Sequence, residues 1–331
     1  MAQYTGIQGQ NILIVSSDPA NPTEGQIWYN TTTNLLKGYA NVVTNAWASG
    51  GNLNTAVRQN AGTGTQTAAL SFGGVLTAII GQTELYNGTS WTTNPTGLNT
   101  ARVNPRGTGT QTAALGFGGY NPPAAQTATE LWNGTSWTSN PTGLNTAKSS
   151  VGGSGTQTAT LAFGGSNPGG VLSQTESWNG SSWTSLPQTM NTARTGLGAA
   201  GTQTSALAFG GETGSLTAAT ESWNGSSWTT GNSMNLARTA LGNAGTQTAA
   251  LGFAGYKGGP NPVNSGATEL WNGTSWTSNP NTMATIRHNL GSAGSTQTAA
   301  LAFGGNAGNP GTTATEEWTG TDLAVRTITT S

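Results

Sequence analysis

Three observations predict an all-β chain, a six-bladed β-propeller of four-stranded blades preceded by a short N-terminal hairpin or extended segment. The phrase Thr-Gln-Thr-Ala-Ala-Leu-x-Phe-Gly-Gly, with small variations, starts at Thr65, Thr110, Thr156, Thr202, Thr246 and Thr296, in steps of 45, 46, 46, 44 and 50 residues. Five of the six copies are followed by an aromatic, Asn-Gly, Trp phrase such as Trp132 to Trp137. No stretch of useful length carries the 3.6-residue period of a helix. A repeat of this size cannot bury its apolar residues alone, and a ring of small sheets buries them against neighbours while protecting strand edges.

The elements follow in order within each unit. A strand beginning Leu-Asn-Thr-Ala-Arg comes first. In the Gln-Thr phrase Gln66, Ala68, Leu70 and Phe72 share one parity and Thr67, Ala69 and Ser71 the other, so it reads as a strand whose small face admits a close neighbour. Gly73 and Gly74 then permit a bulge or positive φ. A variable loop leads to Thr-Glu-Leu-Trp, and Asn-Gly joins it to the last strand, the signature of a tight type I′ hairpin. The same Asn-Gly-Thr/Ser is formally a glycosylation sequon, but turn chemistry alone produces it. Trp91, Trp137, Trp183 and Trp276 lie 11 residues before the next basic residue, Trp228 lies 10 before, and Trp47 lies 11 before Arg58. Trp47 is therefore in phase as the last strand of the sixth blade, whose own phrase has Leu323 in place of Trp. Residues 1–46 form a separate attachment segment and 47–331 the propeller, with 323–331 an extra strand or a return segment.

Of 21 charged residues, twelve follow the repeat: Arg58, Arg102, Lys148, Arg194, Arg238 and Arg287, with Glu84, Glu130, Glu176, Glu221, Glu269 and Glu316. Each Glu precedes the next basic residue by 18 positions, or 17 from Glu221, which suggests one repeated ion pair between adjacent blades. A buried pair of that kind specifies registry more than it adds net stability.

Composition excludes whole classes of function. Only 6% of the 331 residues are charged, there is no Cys and one His, and the formal net charge is -1. A nucleic-acid groove needs a clustered basic face, and no basic run exists. The apolar run Ile12 to Val15 is far shorter than the ~18 residues of a membrane span, and the N-terminus reads as lacking a secretory signal. A lone His288, expected at a rim or in the channel, cannot supply both a metal cluster and a nucleophile-activating triad. No catalytic residue, metal ligand or cofactor is therefore expected. The loops after Gly-Gly vary most, and Tyr120, Asn121, Asn167, Tyr256, Lys257 and Asn306 within them are the candidate recognition residues, since rigid scaffolds carry function on loops.

The order Arg102, Phe117-Gly118-Gly119, Glu130, Trp137 resembles the kelch repeat, and the likeness covers residues 47 to about 327. It departs in using Ala-Leu-Ala-Phe for the usual Tyr-Val-Phe run and in slightly short repeats. The copper oxidases of that class need Cys, Tyr and His ligands, and the Ser-x-Asp-x-Gly-x-x-Trp box of sialidase-type propellers is not found. The leader, with Pro22, Gly25, Trp28, Tyr29, Asn30, Thr31, Thr32, Leu36, Lys37, Tyr39 and Trp47, resembles a segment of tailed-bacteriophage structural proteins, especially fibres. That resemblance implies a virion component on the particle surface, a tail fibre or capsid decoration subunit. Its expected partners are other virion proteins, docked through Trp28, Tyr29 and Tyr39, a host glycan or protein at the loops, and further copies of itself. A lectin-like adhesin acting alone is the alternative.

Overall fold

The computed structural model describes residues 12–23, 25–42, 44–259, 263–307, 311–320 and 322–328; the start of the leader and the tips of two loops, 260–262 and 308–310, lie outside the described residues. The chain forms two units, one of Ala46–Trp318 and one that combines Met1–Asn45 with Thr319–Ser331. Among the described residues there is no helix.

The larger unit contains six four-stranded sheets in chain order, a repeated all-β architecture compatible with a β-propeller. The second is representative: Arg106–Gly109, Ala114–Phe117, Thr129–Trp132 and Trp137–Ser139 pair antiparallel as neighbours. The sixth sheet is Gly291–Thr296, Ala299–Phe303, Thr315–Thr319 and, from the other end of the chain, Ala46–Ser49. Trp47 thus occupies the place its spacing predicts. Its indole donates to Thr268 Oγ1 at 2.9 Å in the fifth sheet, as Trp137 donates to Thr83 of the first.

Apolar residues are buried between sheets rather than within them. Leu70, Phe72 and Leu98 pack with Ala114, Trp132 and Trp137, and the pattern repeats along the series. Leu53, Val57, Tyr86 and Trp91 of the first sheet pack with Leu301 and Phe303 of the sixth. The second strand of every sheet is buried on both faces, the reason its residues are small on one side and Leu/Phe on the other. First strands are glycine-rich because they crowd together: a Cβ on Gly62 would stand 2.4 Å from the carbonyl oxygen of Ser292.

Two turns differ from the sequence reading. Gly64 pairs with Ala69, so Thr65 to Ala68 is the hairpin loop, closed by Thr65 N to Ala68 O at 2.9 Å, and not the start of a strand. Trp132 pairs with Trp137, so Asn-Gly-Thr-Ser is a four-residue loop and not a two-residue type I′ turn. Gly134 alone takes positive φ there, while Asn133 Oδ1 accepts from the backbone N–H of Thr135 and Ser136. The side-chain amide stabilises the turn by mimicking backbone.

Both Gly-Gly residues adopt positive φ, +66° at Gly73 and +100° at Gly74. The fifth sheet has Ala254 at the first of these positions, at φ +58°, where an L-residue is strained by roughly 1–2 kcal/mol. Ala254→Gly is expected to raise stability by about 0.5–1 kcal/mol, the relieved strain exceeding the added unfolded-chain entropy, and Gly210→Ala to lower it. A Cβ at Gly210 would approach Arg238 O to 2.8 Å. Thermal melts of the two variants check the opposite signs.

The smaller unit is a mixed sheet, not a lone hairpin. Leu13–Val15 runs parallel to Ile27–Asn30, which pairs antiparallel with Leu35–Val42. Asp322–Thr327 then adds to the far edge, with Tyr39 opposite Val325. The last strand thus pairs with residues 35–42 and is grouped with the smaller unit, whereas the sequence division at residue 46 assigned it with 47–331 as an extra strand or a return segment.

Candidate functional site

The repeated charges form a structural hub. Glu130 Oε1 accepts from Arg102 Nη1 at 2.7 Å, and its two oxygens also take the backbone N–H of Asn99 and Thr100 and the Asn99 side chain. Equivalent pairs are Lys148–Glu176, Arg194–Glu221, Arg238–Glu269 and Arg287–Glu316, all with side chains no more than 4% exposed. The pairing is therefore shifted from the expectation: each basic residue meets the Glu that follows it in its own unit, not the one 18 residues before. The cation still joins neighbours, because Arg102 O accepts from Gly74 N of the preceding sheet. Burial pulls the guanidinium of Arg194, Arg238 and Arg287 down to about 10, against the opposing pull of the carboxylate, so each stays charged at neutral pH.

Arg58 is not a member of this series. Gly305 N donates to Val57 O just as Gly74 N donates to Arg102 O, so Val57 stands in the guanidinium's place. The spacing from Trp47 misleads because two one-residue offsets cancel: Trp47 to Leu53 is six positions where Trp91 to Leu98 is seven, and Leu53 to Arg58 is five where Leu98 to Arg102 is four. Glu84 instead receives Gln82 Nε2 at 2.9 Å, with Asn54 and Thr55. Gln82 occupies a position that is Ala128 in the second sheet.

The glutamine of each Gln-Thr phrase has a role that sequence parity hid. Gln111 Nε2 reaches the carbonyls of Ala69 and Tyr86 in the preceding sheet. Gln157, Gln203, Gln247 and Gln297 repeat the contact, and Gln66 makes it to Ala300 and Trp318 of the sixth sheet. The loop position frees the side chain to reach across; a strand residue could not.

A second set of backbone bonds links one residue per repeat to the next. Asn104 N donates to Gln59 O, Gln59 N to Asn289 O, Asn289 N to Ala240 O, Ala240 N to Gly196 O, Gly196 N to Ser150 O, and Ser150 N to Asn104 O, at 2.7 to 3.3 Å. The six bonds form a closed cycle, and all six residues hold positive φ. Strain at one position per sheet is thereby maintained by backbone pairing.

Residues that break the repeat gather next to this belt. Six bridges couple Arg58 with Val75, Val103 with Tyr120, Ser149 with Ser166, Thr195 with Glu212, Thr239 with Tyr256 and His288 with Asn306. These twelve positions carry many different side chains where the surrounding positions repeat. Thr195, Glu212, Thr239, Tyr256 and His288 line a cavity of about 330 Å³ against the belt. His288 stacks at 5.6 Å from Tyr256 and holds Asn264 Oδ1 at 2.8 Å. Burial, then the charge of Arg58, lowers its pKa, which favours the neutral imidazole, Nδ1–H donating to Asn264. Of the loop residues singled out from sequence, Tyr256 lines this cavity and Asn306 bridges to its edge. Tyr120, Asn121 and Asn167 lie in short hairpins, and Lys257 is exposed. Sequence reading found the loops but missed the partner strand, since Thr195 and Thr239 look like ordinary repeat filler.

In the smaller unit Trp28 is buried, its indole donating to Asp18 at 3.0 Å beside Asn30 and Lys37. These bonds, Lys37 foremost, hold the Asp18 carboxyl down at about 2. Trp28 is thus interior and not an exposed docking residue, while Tyr29 and Tyr39 are half-buried. Among the described residues of this unit the exposed large apolar side chains are Leu13, Ile14 and Leu35.

Among the described residues no group of three or more His, Cys, Asp or Glu is placed to hold a metal ion. No protein-family model matches the chain, and no curated protein is similar enough to count as a relative.

Proposed function

We propose that this chain is a non-enzymatic attachment protein of a tailed-phage virion, a fibre or capsid-decoration subunit in which a six-bladed kelch-like propeller presents a recognition face and the small mixed sheet joins the chain to the particle. The observation that carries the reading is the division of labour among side chains. The repeated Glu, Arg, Gln and Trp residues are consumed in holding sheets together, and variety is concentrated on the twelve bridged positions beside the belt, five of which line one mouth. Such a mouth, with Tyr256 offering a ring face and Thr195, Glu212, Thr239 and His288 offering polar groups, suits a host-surface glycan or a protein loop. The phage assignment rests on the leader's resemblance, and the exposed Leu13, Ile14 and Leu35 give the small sheet an apolar surface for another virion chain.

Two variants of the full chain separate the roles. Leu13→Asp with Ile14→Asp is expected to leave folding intact and to lower incorporation into particles at least about tenfold, since burying each aliphatic side chain is worth about 1.5–3 kcal/mol. Tyr256→Ala is expected to leave incorporation unchanged and to reduce adsorption to host cells. Normal incorporation of the first variant rejects the small sheet as the anchor. Cell binding by the isolated chain without any particle association favours the free-standing adhesin instead.

A further inference from the structure

Five of the six first strands begin with Ala or Gly: Ala61, Gly152, Gly198, Gly242 and Gly291; the second begins with Arg106. Its side chain crosses the space enclosed by these strands. Arg106 Nε and Nη2 donate to Gly153 O at 3.1 and 2.9 Å, Nη2 also to Ala199 O at 3.3 Å, and Nη1 to Asn243 Oδ1 at 3.2 Å. Gly153 makes room for it, since a Cβ there would lie 2.8 Å from Arg106 Cγ. The guanidinium therefore spans the second to the fifth sheets and borders two cavities, one of about 90 Å³ beside the hydrogen-bonded belt and one of about 240 Å³.

Neither cavity is lined by a carboxylate. Every cation of the repeated series has its Glu; Arg106, outside that series, bonds only carbonyl and amide oxygens, and desolvation draws its pKa to about 10. A charge enclosed without a counter-charge is costly, and a mobile ion can supply what the chain does not. Two donors remain unspent at this point. Four of the five N–H groups of a guanidinium are used by the bonds above, leaving one on Nη1. The Ser292 hydroxyl accepts from Asn243 N at 3.3 Å and donates to no protein group. It too borders both cavities, and Asn243 links it directly to Arg106.

We propose that the central cavity binds one compact tetrahedral oxyanion, of the class of sulfate or phosphate, which accepts hydrogen bonds from Arg106 Nη1 and Ser292 Oγ. The site is distinct from the recognition mouth in its donors, although the belt residues Asn104, Ser150, Gly196, Ala240 and Asn289 line both the mouth and the smaller cavity beside Arg106. The test is thermal melting of the full chain in chloride-free buffer at matched ionic strength, with and without sulfate or phosphate at about 20 mM. The expected result is a rise of roughly 3 °C, the scale for a millimolar ligand of the native state. Arg106→Gln and, as a milder change, Ser292→Ala should abolish or at least halve that rise. No shift in the unaltered protein overturns the proposal, as does an undiminished shift in Ser292→Ala together with Arg106→Gln. An equal shift with chloride overturns the oxyanion assignment. Should Arg106→Gln fail to fold, broadening of the phosphate ³¹P resonance by the unaltered protein and its loss in Ser292→Ala decide the matter.

Discussion

Arg102→Val is expected to lower the stability of the larger unit by about 3–5 kcal/mol, because it strands Glu130 as a buried, uncompensated charge. The effect should be far smaller in the double variant Arg102→Val/Ala128→Gln. The reason is that the first sheet already uses that solution: Val57 stands where the cation would, and Gln82 donates to Glu84 Oε1 at 2.9 Å. The acid cannot be removed as readily as the cation. Glu130 also satisfies the backbone N–H groups of Asn99 and Thr100, and losing their acceptor leaves donors unmet at about 1–3 kcal/mol each. Glu130→Leu is thus expected to cost as much as Arg102→Val and to resist rescue by Ala128→Gln. Urea unfolding of the four variants measures this. A single-variant loss below about 1 kcal/mol for Arg102→Val, within the usual surface range, would sink it.

Trp47→Ala is the second large effect, expected at about 3 kcal/mol, the low end for a core aromatic because Trp47 is half-buried where Trp137 is buried. It removes edge contacts to Phe253 at 4.8 Å and Trp318 at 5.5 Å and the bond to Thr268. Trp137→Ala removes the same set from within a sheet whose strands are consecutive, but its strand stays tethered by the hairpin from Trp132. Hydrogen exchange should distinguish them: amides of Ala46–Ser49 lose protection first in Trp47→Ala, whereas Trp137→Ala should open the first and second sheets together. Equal protection of Ala46–Ser49 in both variants would show that Trp47 does not hold the sixth sheet.

The repeat, the strands and the outlying Trp47 were legible because they depend on local periodicity and phase. What was hidden depends on reach and on who faces whom. Gln66 and its equivalents have strand parity in sequence, yet a four-residue loop turns them into links to the preceding sheet. The partner of Glu130 lies 28 residues before it and not 18 after, a choice that both spacings permit and that only the path of Asn99 to Arg102 beneath its own sheet decides. Arg58 was drawn into the series by a compensating pair of offsets. Trp28 looked like a surface aromatic because its cover comes from Asp18, Asn30 and Lys37, residues that read as polar loop. Arg106 drew no notice, since a single substitution of Gly by Arg in one unit has no period to break.

The sixth sheet, built from both ends of the larger unit, has a consequence for the order of synthesis. Ala46–Ser49 leaves the ribosome early, but its partner Thr315–Thr319 follows about 270 positions later. At roughly 5–20 residues per second the wait is roughly 15 to 50 s, during which an aromatic strand has no edge to join while five complete sheets accumulate behind it. The sixth sheet must therefore stay open until Thr315–Thr319 is made, and its final pairing closes a very long loop, slow by its entropy. Yield in the cell should depend on how well that waiting strand is shielded rather than on the strength of the finished sheet.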